Sequence, residues 1–224
     1  GAAHGPAMRC PPASLHAFDL LAKGDPAPHW LHDGIVRAWG FSAGPVRVSL
    51  IAVSENATFL VRLGDHPVAV TRVARPGYMA GTAAFESELA WVRALGGDGV
   101  ATVPHGLPTL DGPFVAQLLD DAGTAWACVS FSFVPGEVLE DVADPVPHYR
   151  GIGRTTALLH AHALAWEPRA GFERHSWDLP DMVGPTARWG RWEHADLEPH
   201  EVALLARAEK AALAVLADAP RTPD

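Results

Sequence analysis

Charge chemistry in this chain starts at Arg72, a cation near the end of the apolar run Val68-Ala69-Val70-Thr71-Arg72-Val73. Strand side chains alternate faces, so Arg72 shares a face with Val68 and Val70, the face expected to be buried. A cation on that face needs an anion to meet it. The segment Ala83 to Leu95 supplies one. At about 100° per residue, Phe85, Leu89, Val92 and Leu95 fall on one side of a helix, Glu88 flanks that stripe, and Glu86 points away. Taken singly, an arginine at a strand end is a snorkelling surface charge and a helical glutamate a solvated one. In sequence context, Glu88 is the partner the pattern favours.

Other chemistries find less support. Cys10 lies in a Pro-rich leader and Cys128 in an expected core strand; these two cysteines make neither a disulfide framework nor a zinc site. The 12 histidines raise a metal-dependent hydrolase. Yet His160 and His162 are two apart and do not share a helix face, and no H-E-x-x-H motif occurs. Lys and Arg number 17 against 26 Asp and Glu, a formal charge of −9. That balance argues against a broad nucleic-acid or anionic-membrane surface, while leaving room for a local cationic pocket that holds one phosphate-bearing ligand. We find no signal peptide and no apolar run long enough to span a bilayer; the cysteine usage makes a reducing cytoplasm the simplest setting.

The elements that position Arg72 and Glu88 follow from hydrophobic period. The 224 residues are enough for one large or two small domains with a real core. Trp30 to Trp39 reads as a short amphipathic helix, with Leu31, Ile35 and Trp39 on one side and Gly40 closing it. From Pro45 the period becomes two. Val46, Val48 and Leu50 form one alternating run; Ala57, Phe59, Val61 and Leu63 form the next; the Arg72 strand follows a Gly64-Asp65-His66-Pro67 turn. After the Glu88 helix come candidate strands Pro113 to Leu119 and Ala127 to Val134, joined by Asp120-Asp121-Ala122-Gly123. A meander interrupted by one helix predicts an α+β fold, an antiparallel five-stranded sheet with that helix on one face. Composition shifts after Val134, which sets the expected boundary between domains 1–134 and 135–224. Beyond it, Tyr149, Ile152, Thr156, Leu159 and Ala163 keep helical spacing, and a second helix is expected from Glu198 to Leu216. Between them Trp177, Trp189 and Trp192 read as packing residues in a structured loop.

This order resembles the small lobe of the protein-kinase-like fold, and within it the aminoglycoside phosphotransferase and choline kinase type of small-molecule kinase. The residues that carry the resemblance are Ser54-Glu55-Asn56-Ala57-Thr58-Phe59, Thr71 to Tyr78, Ser87-Glu88-Leu89-Ala90-Trp91, Phe131 to Glu137, and Leu158-Leu159-His160-Ala161-His162. The resemblance implies an ATP-dependent kinase that moves the γ-phosphate of ATP to a hydroxyl of a small substrate, with magnesium bridging the phosphates. It casts Arg72 as the strand cation that contacts the phosphates and Glu88 as the residue that orients it. The usual residue is Lys, and Arg departs from it with a planar, permanently charged fork. Ser54 and Asn56 belong to a turn that resembles the phosphate-covering loop. Phe131, Phe133 and Val134 resemble the inter-lobe hinge that borders an adenine.

The same family needs an H-x-D-x-x-x-x-N loop and a further metal-binding Asp. His194-Ala195-Asp196 matches the first letters, but Glu201 stands where Asn belongs, and the match reads instead as an acidic cluster at a helix N-terminus. We therefore expect no catalytic residue and no metal ligand within these residues. The real loop and the magnesium ligands are expected beyond Asp224, in a chain that looks truncated. A pseudokinase-like nucleotide-binding or regulatory module is the alternative.

Overall fold

The computed structural model describes residue 18 and residues 20–77, 79, 81–175, 179–187 and 191–218. Two compact units divide them between Arg174 and His175. In the first, helix α1 (His29–Trp39) ends at Gly40, whose left-handed backbone (φ 69°) turns its N–H onto the carbonyl of Val36. Strands β1 (Val46–Val53), β2 (Asn56–Leu63) and β3 (His66–Ala74) follow as an antiparallel meander. The tight turn into β3 is permitted by Gly64 at φ 59°.

Helix α2 (Thr82–Gly97) then leads to the two-residue β4 (Gly106–Leu107), β5 (Val115–Leu119) and β6 (Ala125–Ser132). The sheet order is β1-β2-β3-β6-β4, with β5 also pairing β6. The α+β arrangement expected from the sequence is therefore present, with β4 as a sixth strand too short to leave a period. Strand β6 closes the sheet against β3: Arg72 lies opposite Val129 and Val70 opposite Phe131.

Burial divides the two faces in a way the sequence did not. Ala69 and Val73 are fully buried among Phe18, Leu31, Ile35 and Phe59, on the face covered by α1. Thr71 shares that face, its hydroxyl satisfied by Ser130 at 2.6 Å. The face of Val68, Val70 and Arg72, which the sequence reading buries, is only half-buried. The correction is physical: α1 spreads Leu31, Ile35 and Trp39 over one face, whereas α2 covers part of the other with Phe85 and Leu89 against Ala74 and Val129. Arg72 thus sits at the margin of a small apolar cluster and not inside the main core.

Helix α3 (Tyr149–Ala165) completes the first unit. Its half-buried side is Leu159, His162 and Trp166, while Tyr149 and Ile152 of the expected stripe are exposed. In the second unit, α4 (Leu179–Met182) precedes α5 (Pro199–Ala217). Leu205, Ala212, Leu213 and Leu216 form the less exposed side of α5, as the stripe predicts, though Val202 is exposed. Trp192 donates its indole N–H to Glu209 at 3.2 Å, a packing role. Trp177 and Trp189 lie outside the described residues.

Candidate functional site

Helix α2 brings Glu88 under β3 because Phe85 and Leu89, the residues flanking it by one turn and one step, are held in the small cluster. The expected pair forms. Arg72 Nη1 donates to Glu88 Oε1 at 2.6 Å and Nη2 to Oε2 at 3.0 Å, a bidentate fork. The guanidinium also lies 5.8 Å from the Phe131 ring centroid and 5.9 Å from that of Phe85. A second cation, Arg174, donates to Glu88 Oε2 at 3.0 Å. Burial acts to raise the Glu88 carboxyl, but the hydrogen bonds and charge of Arg72, with those of Arg174, overcome it and hold the group below its ordinary value. Glu88 is therefore a carboxylate at neutral pH and a poor proton donor or acceptor.

Beside this triad lies a cavity of about 100 Å³ lined by Asn56, Arg72, Met79, Phe85, Glu88 and Arg174. In two of the lining residues a polar atom, Arg72 Nε or Asn56 Oδ1, is buried without a partner among the described residues. Buried polar atoms are nearly always satisfied, so these two stand out. A larger cavity of about 610 Å³ runs along the β1 edge past His29, His32, Arg47 and Arg62. None of the expected site residues borders it, and its Arg47 already answers Asp65 at 2.6 Å. The smaller cavity is the one where charge and orphaned atoms converge.

Ser54 and Glu55 form the exposed β1–β2 turn. The turn is tied to the end of β3 by Arg75, whose Nη2 donates to the Ser54 carbonyl at 3.5 Å and lies 3.8 Å from Glu55. Asn56 begins β2 directly after it. Phe131 is half-buried on the Arg72 face, while Phe133 and Val134 continue past the strand end and do not line the cavity. Phe133 N–H is taken by the Val68 carbonyl at 3.2 Å. Among the described residues, the Phe133 carbonyl and Val134 N–H make no hydrogen bond. The structure thus joins Asn56, Arg72 and Glu88 at one cavity, sets Phe131 against the Arg72 guanidinium, and leaves Ser54, Phe133 and Val134 at the turn and strand end.

Arg174 is the residue the sequence reading missed. It stands 86 positions from Glu88, in a segment without period, and no spacing rule points to it. His194, Ala195 and Asp196 lie before α5, and Glu201 accepts the Glu198 N–H at 2.8 Å while the Glu198 side chain caps the helix in return. That capping box is the acidic N-terminal cluster expected there. Among the described residues, no three His, Cys, Asp or Glu side chains gather as a metal site, and no helix is long and apolar enough to cross a membrane.

Residues 48–223 match the model of the phosphotransferase enzyme family. A solved structure of the microcompartment-associated aminopropanol kinase is similar at a TM-score of 0.65 and 36% identity, over 80% of this chain and 54% of that one. The amicoumacin kinase hAmiN, in complex with AMP-PNP, Ca2+ and Ami, is similar in fold at a TM-score of 0.58 and 14% identity, over 86% of this chain and 54% of that one. The chain spans about half the length of these solved structures. No curated protein matches it.

Proposed function

Because the chain belongs to the phosphotransferase enzyme family, we propose that its first unit is the nucleotide-binding lobe of an ATP-dependent small-molecule kinase. The observation that carries this reading is the bidentate Arg72–Glu88 fork beside a small cavity that Arg72, Glu88 and Asn56 help to line. With two N–H groups spent on Glu88, the remaining edge of the guanidinium is free to take a phosphate oxygen. Glu88 would hold that edge in place, and the Ser54–Asn56 turn would cover the phosphates. Phe131 and Val134 would border the adenine, with the Phe133 carbonyl and Val134 N–H as its backbone partners. In this reading the boundary near Val134 is the hinge between a lobe of residues 1–134 and a partial helical lobe from residue 135.

The reaction assigned to the whole protein is transfer of the γ-phosphoryl group to a substrate hydroxyl, whose oxygen bonds to phosphorus as the bridge to ADP breaks. These residues bind and neutralise; we assign none of them to proton transfer. Magnesium chemistry fits the family, but Glu88 has its oxygens committed to two guanidinium groups and offers no ligand here. The similarity to an aminopropanol kinase makes an amino alcohol the substrate class to test first. A cytoplasmic setting accords with the free, buried Cys128.

Calorimetric titration with ATP tests the reading. Arg72→Ala is expected to weaken binding about 10- to 100-fold while lowering stability by only about 1–2 kcal/mol, since Glu88 keeps Arg174. Equal ATP affinity in the two proteins would remove the phosphate role of Arg72.

A further inference from the structure

The charges around the small cavity do not balance. Glu88 is one carboxylate between two guanidinium groups, and the other lining residues, Asn56, Met79 and Phe85, are neutral. The triad carries a net positive charge, with Arg72 and Glu88 half-buried and Arg174 at the exposed rim, an arrangement whose field favours an anion. Arg174 is also delivered there by a built arm. The Glu173 N–H donates to Ser87 Oγ of α2 at 2.8 Å. Phe172 meets Trp166 edge-on at 5.4 Å, and Trp166 stacks on His162 at 6.3 Å. His162 in turn accepts from Trp91 Nε1 at 3.3 Å and donates to Asp98 at 3.0 Å. The path runs from α3 back to α2 and ends with Arg174 Nη1 on Glu88, its only hydrogen bond among the described residues.

Size and position say which part of a ligand enters. At about 100 Å³ the cavity is far below the roughly 300–1,000 Å³ that drug-sized ligands fill, so it takes a small group and not a base. Phe133 bonds β3 at Val68, and Arg72 lies four residues further along the strand, a rise of about 13 Å at roughly 3.3 Å per residue. A base bordered by Val134 would leave its phosphate chain, and not its sugar, at Arg72.

Resting on the nucleotide reading above, we infer that Arg174 is a second phosphate-binding residue, gripping with Arg72 a phosphoryl group of the nucleotide's polyphosphate. The site then discriminates by the number of phosphates. Calorimetry of the purified protein and its Arg174→Ala variant with ATP, ADP, AMP and inorganic tripolyphosphate tests this, with thermal melts to confirm folding. Arg174→Ala is expected to lower ATP and tripolyphosphate affinity about tenfold and to leave AMP within about twofold, shrinking the ATP-to-AMP ratio. Arg174→Lys, which keeps the charge and tests the site should the alanine variant misfold, is expected to recover part of that ratio. An unchanged ratio, or equal loss for all four ligands, overturns the role of Arg174 and leaves the nucleotide lobe standing if Arg72→Ala still impairs ATP. Arg174-dependent binding of tripolyphosphate without binding of any adenine nucleotide upholds the anion site and overturns the nucleotide reading.

Discussion

Arg72 is accommodated on a half-buried sheet face because Glu88 meets it with both oxygens and two aromatic rings flank the guanidinium. A lysine could supply the charge but not the fork, so Arg72→Lys is expected to keep part of the ATP affinity while loosening Glu88. Protonation supplies a second test. Folding holds the Glu88 carboxyl below its ordinary value, so the native state releases this proton more readily than the unfolded chain does. The stabilisation is complete above the unfolded value, about 4.3, and disappears as pH falls through the native one. Melting curves of the protein and Glu88→Gln are therefore expected to converge as pH drops from about 7 to about 3. A gap that stays constant with pH would show that the carboxylate charge contributes nothing.

Two helices do different work on the two sheet faces. Helix α1 builds the main core, and it approaches β5 so closely that a Cβ on Gly34 would lie 2.9 Å from Leu118 Cδ1. Gly34→Leu should push α1 off the sheet and cost about 1–3 kcal/mol in denaturant unfolding, while binding residues on the opposite face keep their geometry. Helix α2 instead carries charge: Ser87, Glu88 and Trp91 each bond to groups outside it. The β5–β6 turn shows how local chemistry fixes an element. Asp120 accepts from the Ala122 and Thr124 N–H groups and from Trp126 Nε1, and the Trp126 bond leads in holding its carboxyl below the ordinary range. That turn was legible from Asp120-Asp121-Ala122-Gly123 alone.

At the scale of the molecule, the cavity draws on residues from Asn56 to Arg174, all within the first compact unit. A chain ended after Arg174 is expected to unfold cooperatively, by circular dichroism, and to retain ATP binding. One ended at Ala165 removes the arm and should bind tripolyphosphate more weakly. Equal binding by the two shortened chains would place the anion site elsewhere.

By itself the sequence determined the strand and helix order, the hairpin turns and the Arg72–Glu88 pairing. Each follows from a short-range period: two along β3 and close to 3.6 along α2, with turn residues between. The capping role of Glu198 and Glu201 was legible for the same reason, since a helix N-terminus is a local structure. Which sheet face lies deeper was not legible, because both faces of β3 carry apolar residues and only the docking of α1 ranks them. Nor was Arg174. Its contact with Glu88 closes a loop of 86 residues through packed rings and one backbone-to-side-chain hydrogen bond, a path that leaves no periodicity in the chain. Tertiary structure alone placed the second cation, because electrostatic complementarity acts through space, while sequence patterns record only what neighbours along the backbone do.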